Sequence, residues 1–287
     1  MIFCAFLDPE SVRKLSGMGV LGMDSLIGIL RALLENCLLA ETTDWQTGPE
    51  LKAAVQAIPE QTARMKATAL LESLWKRDRF APILDTCEAS IDARPAQVAF
   101  ANRNHPDLDV IVTESPAPHP TGTVEVTAIE AFHSSDFAAN RQRMACGIIL
   151  NEGQMDAAGF FKRYLSRLHL VTTKFEVWDY MIGQQFGENY YHCLKWWVGF
   201  LSEAEQQIEF VIHTEGNQTH AIQQRLESLC EGTCISPSVK QNDHLPHERY
   251  LLTKAFDFDL GRGIDLFNPT TGRNREIRVA ISPRFKI

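Results

Sequence analysis

"LPHERYLLTKAFDFDLGRGIDLF", residues 245–267, carries the pattern that sets the class of the second half of the chain. Pro246 punctuates its start, and Tyr250, Leu251 and Leu252 form a brief run fit for a strand. Phe256, Phe258 and Leu260 then alternate with Asp257 and Asp259, the period of a strand with one buried face. Gly261 and Gly263 bracket Arg262 and mark a turn. The stretch reads as two strands of a β-ribbon, and "REIRVAIS" (275–282) reads as a third.

Upstream, strands alternate with helices. "KFEVWDYMIG" (174–183) is a buried strand ending at Asp179, followed by a loop with Gly183 and Gly187. "NYYHCLKWWVGFLSEAE" (189–205) has helical spacing, with Tyr191, Leu194, Trp197, Val198 and Leu201 expected inward. "IEFVIHT" (208–214) is a second buried strand and "THAIQQRLESLCEG" (219–232) a second helix. Strand, helix, strand, helix and then a ribbon specify an α/β domain with a mixed sheet and flanking helices.

The first half has a different texture. "MIFCAFLDPESV" (1–12) begins as a strand and turns into a helix, with Asp8 at the N-cap and Pro9 at the first helical position. "MDSLIGILRALLENCLLAE" (23–41) places Leu26, Ile29, Leu30, Leu33, Leu34 and Leu38 on one helical stripe. "ELKAAVQAI" (50–58) and "RMKATALLESLWKRDRF" (64–80) continue that pattern, leaving a small strand component at Val98–Phe100 and Val110–Val112. The loop "ESPAPHPTG" (114–122) then marks a boundary. Beyond it, "TVEVTAIEAF" (123–132) reads as a strand, and "SSDFAANRQRMACGIIL" (134–150) and "MDAAGFFKRYLSRL" (155–168) as helices. The expected organisation is a mostly helical N-terminal domain, 1–122, and an α/β domain, 123–287.

With 287 residues, 45% of them hydrophobic, the chain is long enough for one large core or two modest ones. A formal charge of −8 argues against a surface that coats nucleic acid or anionic membrane throughout, though not against a local basic site. The seven cysteines are scattered and odd in number, which fits reduced thiols and a cytoplasmic location. No secretory signal pattern and no run of membrane-spanning length is read. Cys230 and Cys234 lack a second ligand pair, so no metal is expected. The chain shows neither a P-loop nor a dinucleotide fingerprint, and no cofactor is expected.

Three polar groups fall where open α/β sheets place their chemistry, at the ends of strands. Asp179 follows "FEVW", His213 lies in "EFVIHT", and His247 precedes "RYLL". His247 would face the same edge only if its strand ran antiparallel to the other two.

The segment His247-Glu-Arg249-Tyr250, with two following strands and Leu260-Gly-Arg-Gly-Ile-Asp265, resembles a phospholipase D-like domain. It is closest to the degenerate version that ends the MIT-domain proteins of endosomal sorting. Similar modules occur in prokaryotic proteins associated with defence systems. The resemblance covers about residues 160–287, and its motifs are of moderate specificity. For residues 1–120 no family is identified.

Active members of that superfamily use a His-x-Lys signature followed, after four intervening residues, by an Asp. The resemblance implies His247 as the phosphorus-attacking nucleophile, Arg249 in the place of the Lys, and Lys254 where the Asp should stand. Gly261, Arg262, Gly263 and Asp265 fall near the element that completes the phosphate cradle. Arg249 would keep phosphate binding, since its fork of donors suits phosphate oxygens. Loss of the acid argues for weak or no cleavage. The second histidine that the chemistry needs would be His213, or His247 of a second subunit in a homodimer; Asp179 joins the candidate catalytic residues through its place at a strand end.

From His247 to Ile287 the chain holds eight Lys/Arg and five Asp/Glu, a local excess of three positive charges. Arg273 and Arg275 would share one strand face and add phosphate contacts. The expected function is therefore a nucleic-acid-engaging component, binding DNA or RNA, of a multi-protein bacterial system, with anti-phage defence as the context the resemblance implies. A second reading is a non-catalytic adaptor that binds partner subunits through the aromatic helix with Tyr190, Tyr191, Trp196 and Trp197. A third places a PIN-like, metal-dependent ribonuclease in the first half, with Asp8, Asp109 and Glu114 as ligands.

Overall fold

The computed structural model describes residues 2–84, 107–114, 124–145 and 147–282; the expected strand at 98–100 and residues 115–122 of the expected boundary loop lie outside them. The chain forms two compact units, Met1–Ala145 and Cys146–Ile287. Both are α/β, and among the described residues no helix is long and apolar enough to cross a membrane.

The first unit is built on a parallel sheet rather than on helices alone. Its strands are β1 (Phe3–Leu7), β2 (Cys37–Thr42), β3 (Phe80–Leu84), β4 (Val110–Thr113) and β5 (Glu125–Ala128), in the order β3-β2-β1-β4-β5. Four helices connect the first three strands: α1 (Pro9–Gly17), α2 (Gly19–Asn36), α3 (Thr47–Gln56) and α4 (Gln61–Lys76). Asp8 caps α1 as expected, accepting from Glu10 N at 3.1 Å. The helix read over 23–41 ends at Asn36, and Cys37–Ala40 continue as a fully buried strand. An apolar run buried on both faces of a parallel sheet looks like the continuation of an apolar helix stripe, which is why the sequence hides the change. Pairing of β5 with β4 places Glu125–Ala128 in the first unit, past the expected boundary at 122. Helix α5 (Asp136–Ala145) follows, with Ser135 Oγ accepting from Ala138 N at 3.1 Å.

The second unit is a seven-stranded mixed sheet. The strands are β6 (Ile148–Leu150), β7 (Lys174–Trp178), β8 (Ile208–Thr214), β9 (Ile235–Gln241), β10 (Tyr250–Leu252), β11 (Asp257–Asp259) and β12 (Ile277–Ser282). Their order is β6-β12-β11-β10-β7-β8-β9. Strands β7, β8 and β9 are parallel, while β10 runs antiparallel to β7 and opens the antiparallel ribbon. Two edge strands were not anticipated. β6 has three residues, and β9 carries Pro237 among polar residues, tolerable because an edge strand need not donate along its whole length.

One face of this sheet packs on helices α6 (Ala157–Tyr164), α8 (Glu188–Leu201) and α9 (Thr219–Cys230). Trp197 stacks on Phe210 at 6.1 Å, and Phe200 meets Phe175 edge-on at 6.2 Å. A short helix, α7 (Ile182–Gln185), precedes α8. The buried tyrosine of α8 is Tyr190, not Tyr191. Tyr191 instead lies under Lys195 Nζ, 4.5 Å away, and the Arg225 guanidinium, 5.2 Å away.

Candidate phosphate pocket

Asp179 lies one residue past β7, with its side chain wholly buried on the helix-covered face of the sheet. Its Oδ1 accepts from Met181 N at 3.0 Å, and its Oδ2 accepts from Ile264 N at 2.9 Å. Arg249 stands across from it, just before β10, with Nε 3.6 Å from Asp179 Oδ1. That separation makes an ion pair without a hydrogen bond, and Arg249 Nε is sealed from solvent with no acceptor. A second guanidinium nitrogen, Nη1, donates to Arg262 O at 3.0 Å. Burial pushes the Asp179 carboxyl above the usual carboxylate range, against the lowering pull of the Ile264 N–H, the Arg249 charge and the Met181 N–H.

The loop from Gly261 to Asp265 closes over this pair. Gly261 and Gly263 both adopt positive φ, +63° and +61°. At Gly263 a Cβ would sit 2.5 Å from Asp179 Oδ2, so this position requires glycine on two counts. Arg262 Nε donates to Glu276 O at 3.1 Å, and its Nη1 lies 3.5 Å from Asp265 Oδ2. Arg275 Nε donates to the other oxygen of Asp265 at 3.1 Å.

Arg249, Arg262 and Asp265 line a cavity of about 420 Å³, together with Gly187, Glu188, Asn189 and Tyr190 at the start of α8 and Met181 and Gln185 before it. The volume lies in the range of small-molecule sites. The N-terminus of α8 opens onto it: Gly187 is the N-cap and no side chain caps the first turn. Uncapped N–H groups and the positive end of the helix dipole favour an anion there. Three guanidinium groups, of Arg249, Arg262 and Arg275, stand against the carboxylates of Asp179 and Asp265, with Glu188 mostly exposed at the rim. Tyr190 is buried beside them, and desolvation followed by the Asp179 charge holds its phenol well above its ordinary pKa.

His247 is exposed, with its ring edge-on to Tyr180 at 5.3 Å. The Arg249 guanidinium lies over the same Tyr180 ring at 5.3 Å. Asp179, Arg249 and His247 are thus gathered around the end of β7. His213 is not with them. It pairs with Trp178 across β8 and β7, and strand alternation puts that pair on the opposite face from Asp179 and Arg249. Its Nε2 lies 3.4 Å from Glu176 Oε1, its Nδ1 lies 3.3 Å from Asn242 Oδ1, and its ring is 5.3 Å from that of Trp178. Asp179 and His213 both lie at strand ends, but which face a side chain takes depends on its position in the alternation.

The other expected positions separate in the same way. Lys254 lies in the β10–β11 turn, at the far end of β10 from Arg249, so it does not act on His247 as an acid in its place would. Arg273 precedes β12 and donates through Nη1 to Gly153 O at 3.0 Å, away from the pocket. Arg275 reaches the pocket only through Asp265. The sequence reading did not anticipate Tyr190 or the α8 N-terminus as pocket walls; the uncapped Gly187 was the available signal.

The metal reading of the first unit also separates. Asp109 lies at the start of β4, its Oδ2 accepting from Cys4 N at 2.7 Å, while Asp8 follows the end of β1 and donates its backbone N–H to Val112 O at 2.9 Å. The register sets them four residues apart along the paired strands, about 13 Å. Lys14 holds the edge near Glu114, donating to its backbone O at 2.7 Å and pairing with Glu130 at 2.6 Å. Among the described residues, no group of three or more His, Cys, Asp or Glu has metal-holding geometry. No protein-family model matches the chain, and no curated protein does either.

Proposed function

We propose that the C-terminal unit is a phosphate-binding module of the phospholipase D-like kind, engaging a nucleic-acid backbone with little or no cleavage. The observation that carries the reading is the meeting of Arg249 and Arg262 with the uncapped first turn of α8 in one cavity. Guanidinium forks and free backbone N–H groups together suit phosphate oxygens. Further support comes from the succession of strands and helices leading to the antiparallel ribbon, on which the family resemblance rests. Low hydrolytic power follows from His213 facing away: His247 has no help from that imidazole in protonating a leaving group.

The test is filter binding of a single-stranded oligonucleotide across a salt series. Arg262→Ala should weaken binding and flatten the slope of log affinity against log salt by about 0.7, the loss of one single-strand phosphate contact. His247→Ala should leave binding intact. No association at low salt, or an Arg262→Ala protein that binds like wild type, would overturn the reading.

A further inference from the structure

Among the described residues, the cations of the pocket cluster at one place and do not form a track. They are Arg249 and Arg262, set beside a single helix N-terminus. The other described arginines of the ribbon do not extend the cluster. Neither Arg273, which donates to Gly153 O, nor Arg275, which pairs with Asp265, lines the cavity. Arg278 is exposed and pairs with Ile149 in register, and its position in the alternation puts it on the sheet face opposite Arg249. Carboxylates stand on the pocket's borders: Asp265 in the wall and Glu188 at the first turn of α8, its side chain 83% exposed. A strand passing through would carry further phosphates on both sides of the bound one, close to these acids. A strand that ends in the pocket brings a neighbour on one side only. Its terminal phosphomonoester also carries about −1.5 to −2 charges near neutral pH, more than a diester, and so gains more from two guanidinium groups and a helix N-terminus.

We propose that this pocket binds the terminal phosphomonoester of a nucleic-acid strand in preference to an internal phosphodiester. The proposal rests on the phosphate reading above and names the ligand of that same site. Glu188, mostly exposed at the rim of the pocket, then has a discriminating role: it disfavours a second phosphate there.

Fluorescence anisotropy with one labelled single-stranded oligonucleotide, prepared with a 5′-phosphate, a 3′-phosphate or hydroxyls at both ends, tests this. One phosphorylated end should bind roughly ten-fold or more tightly than the hydroxyl-ended strand, and Arg262→Ala should erase the difference. Arg262→Lys keeps the charge and loses the fork, so it should restore part of the preference. Glu188→Gln alters a mostly exposed side chain and should narrow the preference by strengthening hydroxyl-ended binding. Equal binding of all three strands, weakened equally by Arg262→Ala, would overturn end recognition and leave the phosphate reading standing. Loss of both would follow if Arg262→Ala and Arg262→Lys proteins bound every strand like wild type. A mononucleotide that displaces the phosphorylated strand at equal concentration would assign the pocket to a free nucleotide and overturn the strand-end proposal.

Discussion

Gly263 lies so close to Asp179 that a Cβ added there would meet Oδ2 at 2.5 Å, while the next residue, Ile264, donates its N–H to that same oxygen at 2.9 Å. The turn and the buried carboxylate therefore define each other. The turn supplies a donor that the carboxylate needs inside the protein, and the carboxylate takes the space that any side chain would occupy. Arg249 joins both, lying 3.6 Å from Asp179 Oδ1 and donating to Arg262 O.

Two alanine substitutions separate the parts of that relationship. Gly261→Ala meets only backbone strain, since its φ is +63° and the nearest atom to an added Cβ is 3.5 Å away. It should cost about 1 kcal/mol. Gly263→Ala adds a collision with Asp179 to similar strain, and it should cost about 3 kcal/mol and lower ligand affinity by displacing Arg262. Urea denaturation of both proteins measures the gap. Equal costs would mean that Asp179 yields to the methyl group, and that the carboxylate does not fix the loop.

How much of this was legible in the sequence depends on the range of the signal. β7, α8, β8 and α9 announce themselves because each has a local period, 2 or 3.6, over several residues. β9 and β6 do not, since edge strands carry Pro237 and polar residues or are only three residues long. β2 was lost because it runs straight on from α2 in apolar sequence. At the site, the strand-end argument singled out Asp179, which lies beside Arg249, the residue that the family resemblance singled out. The exclusion of His213 follows from its pairing with Trp178, and the inclusion of Tyr190 from the tertiary placement of the start of α8. Pairing and placement are long-range facts that no local pattern encodes.

Acid should weaken the second unit through His169. This ring stacks on Phe200 at 4.4 Å, meets Phe175 edge-on at 5.9 Å, and buries Nε2 without a hydrogen bond. Burial holds its pKa down to about 4, against an ordinary 6.5. The folded state thus refuses a proton that the unfolded chain accepts between those values. The stability contributed by the neutral ring is complete above about pH 6.5, is lost as the pH falls toward 4, and falls no further below that. Discounted for partial exposure, the loss should be about 2 kcal/mol. His169→Leu should remove that step from a plot of unfolding free energy against pH. A step of unchanged size in the variant would assign the acid sensitivity to other groups.

Any cleavage should require two chains. A histidine that attacks phosphorus leaves an alkoxide to be protonated, and a second imidazole is the expected donor. Within one chain His213 does not serve, because it lies on the other face of the sheet with Glu176 and Asn242. A partner subunit's own copy of His247 would then have to supply the proton. With a chromogenic phosphodiester, the rate should scale with the square of protein concentration while the dimer is scarce, so that ten-fold dilution lowers it about a hundred-fold. His247→Ala should abolish the rate, and His213→Ala should leave it within about two-fold of wild type. A rate linear in protein and lost in His213→Ala would mean that β8 turns its histidine toward the pocket during turnover, and the two-chain requirement would fall.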